Sequence, residues 1–469
     1  MEMAKELICG LGKLAEQCMS VTCTHSDLIR CGLQPFLGSQ ILSDILRIST
    51  DDATSSDATF SFMSPIFKDF LRAVSFYLDY NNHRILKTSM EIHDYHFFLA
   101  GLSDPMQRKL LETAVGLFNS GQLSKFHSWL MRTAAELLPG MNKTNHWQVL
   151  RLLHHTLSPT LVKQSVGSCK WRLIGYGGMQ EADCAALAFV VRCLGEMQHL
   201  NLYMSSLTEE QAEKLMSVFR LAKTINLDQS SVNVSVMKHF ARALKEGQAT
   251  EVSLSHCKLG DEAVKILCSS ITHSSLHTLN LWDCCVTPAC SEVLAEMLTV
   301  SKLCVLNLGA NEFNDEGLAR LITALGTSMC TLQNLCLNDC QLTGSCCPAL
   351  SAALQSEHCS LTDLDLSVNE LDESGALLIC EALKSPNCSL ENLEMVDLTD
   401  ACLNELCDAV MACGSLTNLI LKNNNLTDVS VPRLVELVRD RPVLQLNVQY
   451  NDFSEDVFEL MDSYETIRY

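Results

Sequence analysis

The sequence predicts an α/β solenoid of repeated strand–turn–helix units in its C-terminal part, preceded by domains built mainly of helices. Two observations lead to this prediction. The segment "LTDLDLSVNELD" (Leu361 to Asp372) recurs in similar form along the chain. The residues between its copies place apolar side chains at three- and four-residue steps, as a helix with one buried face does. Each copy therefore predicts a short strand, and each interval predicts a helix.

The strand prediction rests on spacing. Leu364 and Leu366 are two residues apart, so they face the same side of an extended chain. Successive copies start 25 to 29 residues apart, which is the period of leucine-rich repeats. We therefore expect a leucine-rich-repeat solenoid over residues 193–469. The first apolar strand residues of its ten units are at positions 200, 225, 252, 279, 306, 335, 364, 393, 419 and 446.

Stacking follows because one unit cannot cover its own leucines, whereas neighbouring units bury one continuous core. The intervals, such as Gly317–Leu325 and Ala376–Leu383, supply the helices. Strands stack about 4.8 Å apart and helices about 8 to 10 Å apart, so the helix side must be longer. We expect a horseshoe with the strands on its concave face.

One position after the strand alternates between asparagine and cysteine. A side-chain amide there can pair backbone groups where the chain turns inward, and a buried donor left unpaired costs roughly 1–3 kcal/mol. This exchange and the lead-ins "SPNCSL", "SEHCSL" and "TSMCTL" resemble the ribonuclease-inhibitor class of leucine-rich repeat, over about Cys193 to Tyr469. The residues at this position are Asn311, Asn369, Asn424, Asn451, Cys257, Cys284 and Cys340.

The first part of the chain lacks the repeat and consists of predicted helices separated by loops. Polar breaks fall at Ile48–Thr59 and near Leu138–Trp147. We expect a first domain over residues 1–80, a second and helical domain over 81–166, and a connector over 167–192.

Segments of these two domains resemble the NLR family, the cytosolic innate-immune receptors. "LGKLAEQCM" (Leu11 to Met19), "THSDLIRCGL" (Thr24 to Leu33) and "FSFMSPIFKDFLRAVSFYL" (Phe60 to Leu78) are similar to the winged-helix segment that ends the NLR nucleotide-binding module. "FFLAGLSDPMQRKLLE" (Phe97 to Glu112) and "LLHHTLSPTLVKQSV" (Leu152 to Val166) resemble the helical domain that follows it. The resemblance implies the C-terminal part of an NLR.

The first domain also departs from the NLR pattern. Family members usually carry a histidine that reaches the nucleotide phosphate, and Ser64 stands at that position. Lys68 and Asp69 replace the usual glutamine-glutamate pair. The sequence contains no G-x-x-x-x-G-K-[ST], and "GLGKL" (Gly10 to Leu14) reads as a helix with two glycines. We therefore expect no nucleotide cofactor.

Composition narrows the function classes. A net charge of −21 argues against nonspecific binding to nucleic acid or anionic membranes and favours basic partners. The start of the chain lacks the continuous apolar core of a signal peptide, and no run of 18 apolar residues occurs. We expect a cytoplasmic protein whose 24 cysteines are reduced.

Catalytic and metal sites find little support. The cysteine pairs 284–285 and 346–347 are adjacent rather than spaced as C-x-x-C. His154 and His155 point in different directions on a helix, and His93 and His96 share a face without a third ligand nearby in sequence. No G-x-S-x-G motif occurs. We expect no catalytic residues, no metal and no enzymatic activity.

The concave face is the predicted binding surface, because residues beside the strand leucines are not needed by the core. Trp282 offers a large apolar area with one donor, as interface anchors do, although it could instead pack against a neighbouring strand. Acids on this face could meet a basic partner or remain solvated charges. The candidate partner-binding residues are Tyr203, Asp228, Glu251, Trp282, Asp363, Asp365, Glu394 and Lys422.

These observations predict a non-enzymatic interaction or ligand-sensing protein, resembling a truncated NLR, that regulates innate immune signalling. Its repeats would bind a protein or a microbial ligand, and its helical half would contact a full-length NLR relative or a signalling partner. One alternative is an acidic stoichiometric inhibitor of a basic enzyme such as a ribonuclease. Another is that an upstream ATPase module is missing from this reading frame.

Overall fold

The structure is a computed structural model that describes residues 1–17, 22–49, 58–79, 86, 91–140, 142–167, 173–174 and 178–469. The chain divides into two compact units. The first comprises residues 1–173 and 180–195, and the second comprises 174–179 and 196–469. Most of the predicted polar break at 48–59 lies outside the described residues, as do 168–172 and 175–177 of the predicted connector.

The first unit begins with helices around a small antiparallel sheet in which β3 lies between β1 and β2. Leu11, Leu28 and Phe60 meet in its core without exposure to solvent. Its elements in chain order are α1 (Glu2–Gln17), β1 (Cys23–Thr24), α2 (His25–Arg30), α3 (Gln40–Ile45), β2 (Leu46–Ile48), β3 (Thr59–Phe62) and α4 (Pro65–Leu78).

The segment "GLGKL" is helical, as expected, and packs closely against α4. A Cβ atom on Gly12 would lie 2.1 Å from the Cβ atom of Ser75, a distance that two carbon atoms cannot adopt. Glycine at this position therefore lets α1 approach α4.

The rest of the first unit is helical. Arg151 on one helix donates from Nε to the Oδ1 atom of Asp183 on another, at 2.6 Å, and Asp183 is almost fully buried. Residues 181–192 of the predicted connector are part of α10. The helices are α5 (Asp94–Ser103), α6 (Pro105–Val115), α7 (Ser120–Leu137), α8 (Lys143–His155), α9 (Pro159–Val166) and α10 (Glu181–Leu194), and the two-residue strand β4 (Leu173–Ile174) is an edge strand of the large sheet described next.

The second unit contains a parallel sheet whose strands follow one another in sequence order. Ten consecutive strands of this sheet each contain one of the ten predicted apolar positions, so the expected leucine-rich-repeat solenoid is confirmed. The strands are β5 (Met197–Asn201), β6 (Ala222–Asn226), β7 (Glu251–Ser253), β8 (Thr278–Asn280), β9 (Val305–Asn307), β10 (Asn334–Cys336), β11 (Asp363–Asp365), β12 (Asn392–Glu394), β13 (Asn418–Ile420), β14 (Gln445–Asn447) and β15 (Ile467–Arg468).

The helices of the second unit alternate with these strands. In α15 the buried residues include Gly317, Leu318, Leu321 and Leu325, as the apolar spacing predicted. The helices are α11 (Glu209–Leu221), α12 (Val234–Lys245), α13 (Gly260–Ile271), α14 (Ser291–Val300), α15 (Asn314–Leu325), α16 (Cys347–Leu354), α17 (Asp372–Leu383), α18 (Leu403–Ala412), α19 (Val431–Asp440) and α20 (Phe458–Met461).

The strand register stacks the apolar residue of each strand on that of the next. We call this residue the central residue of a repeat. Leu279 pairs with Leu306 and Leu335 pairs with Leu364, and all four are buried. Residues beside a central residue point away from the core, since side chains alternate along a strand. The polar side chains of the repeat therefore collect on one side of the sheet.

Each repeat turns through a left-handed residue four positions after its central residue. None of the ten is glycine, and β-branched residues adopt this conformation poorly. The ten left-handed turn residues are Met204, Gln229, His256, Asp283, Ala310, Asp339, Val368, Asp397, Asn423 and Tyr450, with φ between 49° and 62°.

The strand β15 was not predicted from the sequence. It pairs with β14 and is formed by the last residues of the chain. The Tyr469 ring stacks on the Phe458 ring, with centroids 4.8 Å apart. The final strand and helix α20 thus cover the leucines of the tenth repeat.

Candidate interaction surface on the strand face

The strand face is the side of the sheet that carries the residues one before and one, three and four after each central residue, from β5 to β14. All eight residues predicted to bind a partner lie in these rows. Glu251 and Asp363 precede a central residue, and Asp365 and Glu394 follow one. The remaining four, Tyr203, Asp228, Trp282 and Lys422, lie three positions after a central residue.

The structure brings these residues together in two groups rather than one. The first group belongs to the repeats of β5 to β8, and the second to those of β11 to β13. Three strand spacings of about 4.8 Å separate β8 from β11, so the groups are about 14 Å apart or more. That these residues bind a partner stays a prediction.

Several members of the first group are held by neighbouring repeats. The Tyr203 hydroxyl donates to Oε1 of Gln229 at 2.8 Å. Asp228 accepts from the Ser253 hydroxyl at 2.5 Å and from the Ser255 backbone N–H at 2.8 Å. Asp228 therefore stabilises the next turn, in addition to placing a carboxylate on the strand face.

Trp282 is half-buried and stacks on a histidine of the preceding repeat. The ring centroids of Trp282 and His256 lie 5.9 Å apart, with 26° between the planes. His256 Nδ1 lies 2.7 Å from Oδ2 of Asp283. Trp282 is thus partly tucked against its neighbour while part of the indole stays accessible. His256 and Asp283 are additions to the predicted surface, since both occupy left-handed turn positions whose direction the strand period does not give.

The second group is acidic. Asp363 accepts from Nδ2 of Asn392 at 2.7 Å, and Asp365 accepts from the Ser367 backbone N–H at 2.9 Å. Glu394 is the register partner of Asp365 on the next strand. Burial raises the pKa of Glu394, the adjacent Asp365 carboxylate raises it further, and Lys422 partly opposes both. The group can therefore accept positive charge from a partner.

The charge of the chain is concentrated in the repeats. Residues 1–195 contain 17 Asp and Glu against 18 Lys and Arg, which leaves 38 acids against 16 bases in 196–469. Residues 196–469 therefore carry a net charge of −22 and residues 1–195 a net charge of +1, which together give the total of −21. The rows of the strand face hold one lysine, Lys422, against eight acids: Asp228, Glu251, Asp283, Asp339, Asp363, Asp365, Glu394 and Asp397.

Across the described parts of the chain, no three or more His, Cys, Asp or Glu side chains form a group able to hold a metal ion. Nor does any helix within the described ranges combine the length and the apolar content that crossing a bilayer requires.

Comparison with known proteins found relatives of the repeats. Ribonuclease inhibitor of Sus scrofa is 30% identical over 228 residues, which are 44% of this chain and 50% of the inhibitor. NACHT, LRR and PYD domains-containing protein 3 of Homo sapiens is 34% identical over 222 residues, 46% of this chain and 21% of that protein. Protein 9C of the same series, from Mus musculus, is 28% identical over 271 residues, 56% of this chain and 27% of that protein. The chain thus spans about half of the inhibitor and about a quarter of the NLR proteins.

Other comparisons add little. No family model matches the chain. Among solved structures, Rad7 in its complex with Elc1 from yeast has a TM-score of 0.40 at 18% identity, over 74% of this chain and 94% of that one. A TM-score of this size supports no conclusion. The expected resemblance is confirmed over the repeats, and they are leucine-rich repeats of the type that ribonuclease inhibitor and the NACHT, LRR and PYD proteins carry.

Proposed function

We propose that this chain is a non-enzymatic interaction protein that regulates cytosolic innate immune signalling through a protein partner bound on the strand face. The leucine-rich repeats supply the interaction role. The observation that carries the proposal is the strand face itself, where polar side chains are rigidly spaced and eight acids face one lysine. Such a surface recognises a partner by charge and shape together.

We also propose the domain division 1–80, 81–166, 167–192 and 193–469. The order α1, β1, α2, α3, β2, β3, with β3 central in a three-stranded antiparallel sheet, supports a winged helix in the first domain. Helices α5 to α9 support a helical second domain. This order of parts is that of an NLR C-terminal half, so the helical half would contact a full-length NLR relative or a signalling partner.

We expect signalling by this chain to be independent of a nucleotide switch of its own. Ser64 stands where NLR proteins usually carry a phosphate-contacting histidine, and its hydroxyl instead accepts from the Phe67 backbone N–H at 3.3 Å as the cap of α4. Incubation of the whole chain with labelled ATP tests this expectation, and specific micromolar binding would overturn it.

The proposal is tested by affinity purification of the whole chain from cells that carry an inflammatory reporter, followed by identification of the proteins that co-purify. We expect wild-type protein to bind a partner and to change the reporter signal. A strand-face variant combining Trp282→Ala, Asp365→Asn and Glu394→Gln should lose both effects. The matched control combines Glu213→Gln, Glu296→Gln and Glu459→Gln, three exposed acids on helices, and should retain them. Equal loss in both variants would argue against the strand face.

A second candidate function is stoichiometric inhibition of a basic enzyme such as a ribonuclease. The excess of acids on the strand face favours it, because a basic enzyme would be steered toward that surface. Titrating a basic pancreatic-type ribonuclease with the whole chain while measuring RNA cleavage decides it. Complete inhibition at one equivalent supports this function, and unchanged cleavage at a large molar excess rejects it.

A further inference from the structure

Two kinds of hydrogen bond join the turns of neighbouring repeats beside the strands. In the first, the N–H of the left-handed turn residue donates to the carbonyl three positions after the next central residue. It is present at seven of the nine junctions between the ten repeats, at 2.7 to 3.1 Å. The donors are Met204, Gln229, His256, Asp283, Ala310, Asp339 and Asn423.

The second link is made by the side chain five positions after a central residue. It donates to the carbonyl two positions after the central residue of the preceding repeat. Eight of the nine junctions have it, at 2.7 to 3.2 Å. The donors are Ser230, Cys257, Cys284, Asn311, Cys340, Asn369, Asn424 and Asn451.

The junction between β11 and β12 lacks both links. Leu398 occupies the side-chain donor position and is aliphatic, and within the described residues the Val368 N–H makes no bond to the Val396 carbonyl. The next junction, from β12 to β13, keeps the side-chain link through Asn424 but lacks the backbone one in the same described stretch. Strand pairing itself continues across both junctions.

A carboxylate at this junction takes over the acceptor role that the Asn369 side chain has one junction earlier, where it accepts from the Leu342 N–H at 3.0 Å. Asp397 Oδ2 accepts from the Leu371 backbone N–H at 3.0 Å. Burial raises the pKa of Asp397, the Leu371 N–H opposes that rise, and the nearby Glu370 and Asp372 carboxylates add to it. The replacement is therefore a bond made beside two like charges.

Backbone conformation adds to the weakness of this junction. Val368 is a β-branched residue held at φ 56° with its side chain largely exposed. β-branched residues are genuine outliers in this region, and the conformation costs energy that closure of the turn must offset.

We propose that the β11–β12 junction is a joint, at which the solenoid opens locally while the repeats on either side stay folded. In a stack of repeats, stability is a sum of unit and interface contributions, so the interface with the fewest links opens first. Opening separates Asp363 and Asp365 on β11 from Glu394 and Lys422. The acidic group of the strand face would then adjust to its partner, a consequence that rests on the proposed function, whereas the joint does not.

Hydrogen exchange of the whole chain at residue resolution tests the joint. The amides compared are all hydrogen-bonded, so unequal exchange reports opening. Two backbone hydrogen bonds cross the joint: the Leu366 N–H donates to the Glu394 carbonyl at 3.0 Å, and the Asn392 N–H donates to the Thr362 carbonyl at 2.9 Å. Their equivalents one repeat earlier are Leu337 and Asp363, bonded at 2.9 and 3.0 Å. We expect the first pair to exchange about tenfold or more faster. Equal protection of the two pairs would overturn the proposal.

Two variants separate the joint from general loosening. Asp397→Ala removes the remaining link, and we expect exchange of Leu366 and Asn392 to rise further while Leu337 and Asp363 are unchanged. Asp339 occupies the same turn position two repeats earlier, where the backbone link is present. We expect Asp339→Ala to leave the exchange rates of all four amides unchanged. Identical exchange in the two variants would show that Asp397 does not hold the joint. If Asp397→Ala fails to fold, the wild-type comparison still decides.

Discussion

At the scale of single residues, the asparagine of the repeat acts as both donor and acceptor between turns. Asn369 accepts from the N–H groups of Cys340 and Leu342, each at 3.0 Å, and donates to the Leu337 carbonyl at 2.8 Å. A cysteine in the same position donates only, as Cys340 does to the Leu308 carbonyl at 3.2 Å. A cysteine in place of the asparagine therefore keeps the bond donated to the carbonyl of the preceding repeat and loses the bonds accepted from its N–H groups.

Replacement of Asn369 tests this account. Asn369→Ala leaves two buried N–H groups unpaired, and we expect a loss of roughly 1–3 kcal/mol in unfolding free energy for each. Asn369→Cys keeps the donor and should lose less. Urea unfolding followed by circular dichroism measures both values. Equal losses for the two variants would contradict the donor role.

Val368 offers a stabilising change at the residue scale. Asparagine tolerates the left-handed conformation, and Asn423 occupies the equivalent turn at φ 52°. We expect Val368→Asn to raise the unfolding free energy by about 1 kcal/mol. The reciprocal Asn423→Val should lower it by a similar amount. Thermal unfolding of both variants measures the effect, and a destabilised Val368→Asn protein would count against conformational strain.

At the scale of elements, one arginine side chain donates hydrogen bonds to backbone carbonyls at and after the end of a helix. Arg441 follows α19 and donates to three carbonyls of the preceding repeat, those of Val410 at 2.6 Å, Cys413 at 2.7 Å and Leu416 at 2.6 Å. Val410 lies in the last turn of α18, where carbonyls have no partner within the helix. The guanidinium thus joins α18, the loop after it and the lead-in to β13.

Arg441→Ala leaves these carbonyls without their charged donor. We expect a loss of roughly 1.5–3 kcal/mol in unfolding free energy, the range for hydrogen bonds to charged groups. Arg441→Lys keeps the charge without the planar fork and should fall in between. The exposed Arg439→Ala is the control and should change stability by less than about 0.5 kcal/mol. Guanidinium unfolding compares the variants, and an Arg441→Ala protein as stable as the control would reject the assignment.

At the scale of the whole repeat array, aspartates join successive helix starts. Asp261 accepts from the Thr287 N–H at 2.9 Å and hydroxyl at 2.7 Å, and Asp428 accepts from Ser454 in the same way at 2.8 and 2.6 Å. Asp400 contacts Thr427 and Ser430 similarly. Such pairs recur along the helix side, so they connect units that the strands connect on the other side.

These aspartates predict how stability depends on pH. Burial alone would raise the pKa of Asp261 and Asp400, but the hydrogen bonds that these carboxylates accept outweigh burial and lower the pKa. The hydrogen bonds from Ser454 lower the pKa of Asp428. A carboxylate whose pKa is lower in the folded than in the unfolded protein stabilises the fold at pH values above its unfolded pKa, which is about 3.9. This stabilisation is lost as the pH falls through the lower pKa of the folded state.

We therefore expect unfolding free energy to drop steeply below about pH 4. The combined variant Asp261→Asn, Asp400→Asn and Asp428→Asn should be less stable at pH 7 and should show a shallower drop. Asp339→Asn, an exposed turn residue outside these pairs, is the control. Urea titrations at several pH values measure the slopes, and parallel slopes for the triple variant and the control would rule out the linkage.

The arrangement of the repeats was predictable because burial imposes a period. Leucines two residues apart on a strand must face one core, and their recurrence can be read without knowing what they touch. The asparagine position was predictable for the same reason, since it recurs in register with the leucines. Four of the eight predicted surface residues follow from alternation along the same strands, and the other four lie two positions beyond a strand end. The role of all eight in binding stays a prediction.

The sequence by itself determined the ten stacked units, their central residues and the polar rows beside them, because each depends on spacing along the chain. Only the tertiary structure decided the contacts of Arg441, the aspartate pairs, the closing strand β15, and the loss of two links and the Asp397 bond at the joint. The side-chain contacts of Arg441 and Asp397 join residues 25 to 31 positions apart in neighbouring repeats, and β15 pairs with residues 21 positions earlier. Their partners depend on side-chain direction and on departures from the period, which spacing does not specify.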